Sequence, residues 1–186
     1  MTATAIPSVA THEWQIDSAH TSAEFAVRHL MIATVKGSFS DITGTVFHDP
    51  ATGAFDVNVE IPVATITTRN AQRDAHLRSA DFFDAEHHPV MTFKGKRIDG
   101  DIGSAFRLIG DLTVRGTTRE IVLNVKNEGA GPDSWGNERM GFSASGKLNR
   151  QDFGLKWNVA LEAGGVTVGD EVKISLDLEI MRPRAT

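Results

Sequence analysis

A chain of 186 residues, 40% of them apolar, with a formal charge of −5, has the length of one domain, able to bury roughly 70% of its unfolded surface. It contains no cysteine and no tyrosine, which excludes disulfide scaffolding, thiolate catalysis, iron–sulfur clusters, cysteine-ligated zinc and tyrosine chemistry. Its 19 lysines and arginines are scattered and outnumbered by 24 acidic residues, so the basic footprint of a nucleic-acid binder is missing.

Residues 1–13 carry no lysine or arginine and no apolar run, so they are expected to be a flexible segment rather than a signal peptide. No stretch reaches the ~20 apolar residues of a transmembrane helix, and a cytoplasmic protein is expected. The folded domain is expected over 14–181, followed by a tail at 182–186.

From there on, apolar residues recur at every second position, the mark of strands with one buried and one wet face. Segments 22–30 and 39–48 are the less regular ones. The parity slip between Phe39 and Ile42 predicts a bulge or bend near Gly44. Phe55, Val57, Val59, Ile61 and Val63 oppose Asp56, Asn58 and Glu60 as a half-buried strand. Segment 69–78 breaks the period and predicts a short helix capped by Thr68 or Asn70. Ser79 looks like a second cap for 81–84, and Pro89 marks the return to strand at 90–98. Phe106, Leu108, Leu112 and Val114 form the next strand, and Arg115-Gly116-Thr117 a tight hairpin into Ile121, Leu123 and Val125. Gly129–Pro132 and Gly164–Gly165 are expected as loops, and 133–136 as an exposed turn with Trp135 in a dimer or lid contact. Segments 140–148 and 172–180 complete the alternation. About eight strands close naturally into a barrel, with the helix lying across one mouth.

The residues also carry a family likeness. Trp14-Gln-Ile-Asp17-x-x-His20 with Phe25-x-Val27-x-His29, then Arg73-Asp74-x-His76-Leu77-x-Ser79-x-Asp81-Phe82-Phe83-Asp84, resemble motifs of the YceI-like, polyisoprenoid-binding proteins. Gly110-x-Leu112-x-x-x-Gly116, Arg150-x-x-Phe153-Gly154 and Val168-Gly169-Asp170-x-Val172 are similar to the C-terminal half of that family. The resemblance implies an all-β, eight-stranded antiparallel, lipocalin-like barrel that holds a long isoprenoid chain in its pore, as a homodimer and without catalysis. It does not separate quinone, prenyl pyrophosphate and other lipids.

Three constellations are candidate sites. The first is phenylalanine: Phe25, Phe39, Phe55, Phe82, Phe83, Phe93, Phe106, Phe142 and Phe153 mostly share the apolar parity, as ordinary core or as the lining of a pore. Small residues at Ala26, Gly44, Ala144 and Gly146 favour an open interior. The second is Arg69, Arg73 and His76, spaced to project from one helix face, where guanidinium forks would suit a pyrophosphate head. The alternative is surface ion pairing with Asp74, Asp81, Asp84 and Glu86. The third is His29, pointed at the apolar side and in need of a polar partner such as His20 or His76. The histidines lack the close spacing of a metal site, so no metal is expected. Gly141–Lys147 matches a P-loop until Leu148 stands where Ser or Thr is required, and it alternates as a strand.

The set assigned to a ligand is therefore Phe25, Val27, His29, Phe39, Arg69, Arg73, His76, Phe82, Phe83, Phe93, Phe106, Phe142, Phe153 and Trp157, with no catalytic residue and no cofactor. Two other functions stay open: a hydrolase or isomerase using histidine with Asp74 or Asp81, and a filled barrel acting as an interaction module.

Overall fold

The computed structural model describes residues 13–160 and 166–183. Ten antiparallel strands appear among them: β1 (Glu13–Ile16), β2 (Ser22–His29), β3 (Ala33–Phe39), β4 (Thr43–His48), β5 (Phe55–Pro62), β6 (Val90–Gly100), β7 (Ala105–Val114), β8 (Thr117–Pro132), β9 (Asn137–Asn149) and β10 (Val168–Pro183), with helix α1 at Ala71–Arg78. Their pairing order is β1-β4-β5-β6-β7-β8-β9-β10, and β1 returns to β10, so the ring closes.

The ring is eight-stranded because two strand positions are each shared by two short strands. β10 pairs with β2 from Val168 to Asp177 and with β1 at Ile180 and Met181. Between β1 and β2 the backbone makes a 3-10 turn at Ser18–His20, capped by Asp17, whose Oδ1 accepts from the Ala19 N–H at 3.0 Å. β3 and β4 are likewise separated at residues 40–42, where Asp41 takes φ +55°. The sequence predicts one strand over 39–48. The backbone turns earlier than Gly44, at Asp41, and Ala33–Phe39 is a strand of its own that the weak alternation concealed.

This break makes the mouth. β4 pairs with β5, but β3 splays away and meets the segment after β5 instead, through a bridge between Ser38 and Thr67 and a bond from the Ser40 N–H to Thr65 Oγ1 (3.1 Å). The wedge between them holds α1. Its cap is Asn70, whose Oδ1 accepts from the Arg73 N–H at 3.0 Å. Residues 79–84 form consecutive turns rather than a second helix, with Ser79 accepting from the N–H groups of Phe82 and Asp84.

The β7–β8 turn is the tight hairpin expected: Arg115 and Gly116 both have positive φ (+48° and +70°) and Val114 pairs with Thr117, the two-residue loop whose twist matches its strands. Gly129–Pro132 are not loop but the end of β8, paired with residues of β9 as far as Glu138. Strand structure begins at Glu13 and runs through Pro183, inside the segments expected to be flexible end and tail. The rest of those segments, and Gly164–Gly165, lie outside the described residues. No helix among the described residues is long and apolar enough to cross a membrane.

Candidate functional site

The interior is not filled. Along β10 the outward side chains of Lys173, Ser175 and Asp177 are exposed, while the inward Val172, Ile174 and Leu176 are only half-buried, because open space lies in front of them. Two cavities occupy that space. The larger, about 330 Å³, opens beside α1; the smaller, about 190 Å³, lies toward the β4–β5 and β6–β7 turns. Both are lined overwhelmingly by apolar side chains, and the larger alone has the volume of a small-ligand pocket.

Most of the expected ligand residues converge here. Phe25, Val27, His29, Phe39, Arg73, His76, Phe82, Phe83, Phe153 and Trp157 line the larger cavity. Phe93, Phe106 and Phe142 line the smaller, as does Phe55. Arg69 does not join them: it precedes the helix cap with φ +60°, its N–H donates to Thr67 Oγ1 (3.2 Å), and its side chain is exposed. Helical spacing failed because the helix starts after this residue. Of the small residues expected to open the pore, only Ala144 lines a cavity. Ala26 pairs with Lys36 and Lys173 on the outer face, Gly44 lies against the Asn58 carbonyl, and Gly146 is overlain by Leu123.

At the mouth, three rings stack on one another. His76 meets Trp157 edge-on at 4.8 Å and Phe82 at 5.1 Å, and Phe82 and Trp157 are 5.2 Å apart. His76 Nε2 lies 2.9 Å from Asp81 Oδ2, which orients the imidazole. Beside it Arg73 donates from Nε to Thr68 Oγ1 (2.7 Å) and from Nη2 to the Thr68 carbonyl (2.9 Å). Among the described residues no carboxylate lies within ion-pair distance of Arg73, so its charge is uncompensated by a direct partner.

Arg73 is held by a residue the sequence assigned to surface pairing or catalysis. Asp74 is buried, and burial pushes its carboxyl upward. Bonds from the Thr68 N–H (2.8 Å) and hydroxyl (2.5 Å), with Thr67 farther off, outweigh that and keep it below the ordinary carboxylate range. Arg78 adds its charge from farther off, while its guanidinium donates to the carbonyls of Ala64 and Ile66. The chain Arg73 to Thr68 to Asp74 thus fixes the guanidinium at the cavity edge.

On the opposite rim sits Arg150, buried, and not foreseen as a site residue. It donates to the carbonyls of Leu155, Trp157 and Gly169 and reaches Asp170, folding the 154–158 segment over the pore and placing Trp157. Its burial depresses its pKa from the ordinary arginine value. Nothing in residue type or spacing marks a cation whose partners are mostly backbone carbonyls.

His29 lines the same cavity as His76, but His20 is elsewhere, its Nδ1 3.0 Å from Asp17 Oδ2. There Asp17, His20 and Glu179 offer ligand atoms within 4.8 Å of one another. Arg139 already supplies the positive charge, donating to Asp17 Oδ2 (2.5 Å), to Glu179 and to Asp133 Oδ2 (2.8 Å). Trp135 is exposed on the β8–β9 turn next to this cluster, far from the helix-side mouth.

A closed antiparallel barrel with a hollow apolar interior and a polar, aromatic rim on one side defines a small-ligand-binding barrel. The chain belongs to the YceI-like domain family, whose model matches residues 14–180. It is 38% identical to protein YceI of Escherichia coli O157:H7 over 152 residues, 80% of this chain and 79% of that one. Among solved structures it is similar to Burkholderia cenocepacia BcnA, with a TM-score of 0.72 at 22% identity over 88% of this chain and 98% of that one. It is also similar to a polyisoprenoid binding domain from Saccharophagus degradans, with a TM-score of 0.63 at 14% identity over 91% of this chain and 98% of that one. These last two likenesses speak for the fold alone.

Proposed function

We propose that this protein binds a long-chain polyisoprenoid or isoprenoid quinone, burying the apolar tail in the barrel and leaving the polar head at the mouth beside Arg73 and His76. The observation that carries this reading is the hollow interior, two adjoining apolar cavities of which the larger is edged by the Arg73 guanidinium, which among the described residues meets no carboxylate. Each buried CH₂ contributes about 0.8 kcal/mol, so a prenyl tail by itself supplies useful affinity after association costs. The motifs shared with the YceI-like, polyisoprenoid-binding proteins imply the same class of ligand. The role is carriage or sequestration rather than chemistry: Asp74 is committed to Thr68, and the His76 ring is packed between Trp157 and Phe82.

Native mass spectrometry of protein purified from cells, before and after incubation with prenyl alcohols, prenyl pyrophosphates and quinones, tests the reading. A mass shift matching one prenyl lipid per chain is expected, or per chain of a homodimer. Protein that stays empty with every long prenyl lipid overturns it.

A further inference from the structure

The two cavities adjoin at one layer of side chains that line both. Along β10, Val172 faces only the larger cavity, Leu176 only the smaller, and Ile174 between them faces both. Along β7, Val114 faces the larger, Leu108 the smaller, and Leu112 both. On β5 the residue that faces both is Ile61. β5 and β7 flank β6 on one wall, and β10 lies three strands away from each around the ring, on the opposite wall. Ile61, Leu112 and Ile174 therefore face one another across the bore at one level. Leu112 is itself buried, at 8% exposure, while Ile61 and Ile174 are half-buried, so of the three Leu112 is the most enclosed.

From this geometry we infer that Leu112, with Ile61 and Ile174, sets the chain-length preference of the pore, an inference that rests on the prenyl-binding reading above. With the head held at Arg73 and His76, a short tail is accommodated wholly in the larger cavity and leaves the layer in place. A longer tail must displace Leu112 to enter the smaller cavity, where Phe93, Phe106 and Phe142 offer it further apolar surface. The layer is made of aliphatic side chains that change rotamer without losing a hydrogen bond, so passage costs packing alone. The gain is the burial of additional CH₂ groups, each worth up to about fourfold in affinity.

Equilibrium binding of farnesol, geranylgeraniol and a long-chain polyprenol to the wild type, Leu112→Trp and Leu112→Ala tests the inference. The wild type is expected to bind the polyprenol at least about tenfold more tightly than farnesol. In Leu112→Trp the indole fills the passage, so farnesol affinity stays within about twofold of wild type while the gain with chain length disappears. Leu112→Ala keeps or enlarges that gain. Should Leu112→Trp not fold, Ile174→Phe narrows the same layer from the opposite wall and carries the same expectation. A Leu112→Trp or Ile174→Phe variant that weakens farnesol and polyprenol in equal proportion, or that retains the wild-type gain, overturns the role of the layer. Wild-type protein that binds none of the three defeats the prenyl-binding reading itself, a result distinct from either of these.

Discussion

Phe25 and Gly37 stand directly opposite one another on β2 and β3, and the Phe25 ring lies over the glycine. A Cβ at Gly37 would stand 2.7 Å from Phe25 Cε1 and 2.8 Å from Thr68 Cγ2, so the missing side chain lets the ring lie flat against the wall. Gly37→Ala should push Phe25 into the larger cavity. The expected cost is about 1–3 kcal/mol in chemical denaturation, together with weaker binding of a pore ligand in titration. Unchanged stability and affinity would show that the ring is free to move.

Arg73 should distinguish head groups. Planar bidentate donation favours a pyrophosphate over a hydroxyl. Arg73→Ala is expected to weaken a prenyl pyrophosphate about tenfold or more and the matching prenyl alcohol about twofold or less, measured by competition. Equal losses for both ligands would assign Arg73 to the wall rather than to the head.

Asp74 should matter to stability through Thr68. Asp74→Ala leaves the buried Thr68 N–H and hydroxyl without their acceptor and is expected to cost about 3 kcal/mol in urea denaturation. Asp74→Asn keeps an acceptor oxygen in place and should recover more than half of that loss. The Asp74 pKa lies below its ordinary value, so its contribution is present at neutral pH and fades only in acid.

The cluster at the other end of the barrel should set acid stability. Hydrogen bonding to Arg139 and His20 holds the Asp17 carboxyl down to about 2, against an ordinary value of 3.8. A depressed folded-state pKa means stability fully present above about pH 4 and lost as the pH falls toward 2. The shift corresponds to about 2 kcal/mol, and Asp17→Asn should remove it, flattening the stability profile between those limits. Thermal melts of both proteins across that range measure the difference, and parallel profiles would refute it.

Arg150 should hold the lid segment. Arg150→Met keeps the bulk but leaves the carbonyls of Leu155, Trp157 and Gly169 without their donor, at an expected cost of about 3 kcal/mol. Hydrogen exchange should quicken over 154–158 before the barrel strands respond.

Much of this barrel is legible along the chain because a strand writes its two faces at alternate positions. Ile174 and Lys173, or Leu108 and Arg107, point in opposite directions wherever the backbone is extended, and that rule depends on no distant residue. The helix cap at Asn70 and the hairpin at Arg115-Gly116 are equally local. Legibility fails where strands break. At Asp41 a left-handed residue turns the chain, and local composition there carries too little apolar contrast to separate β3 from β4. Arg69 shows the same limit at a helix start, where one residue's backbone angle decides which side chains share a face.

By itself, then, the sequence determined most of the strands and the short helix, the inward parity of the phenylalanines and the family likeness, all of which follow from local backbone geometry and residue order. It left undecided whether the apolar lining meets in the middle. Only the tertiary structure, by setting eight strand positions around a ring and splaying β3 away from β5, made the 40% apolar content a wall around two cavities. Closure also brought residues distant in sequence together, Arg139 onto Asp17 and Glu179, and Ile61, Leu112 and Ile174 onto one level of the bore. The physical reason is that packing across a barrel depends on strand register, and register is a property of the closed ring rather than of any one segment.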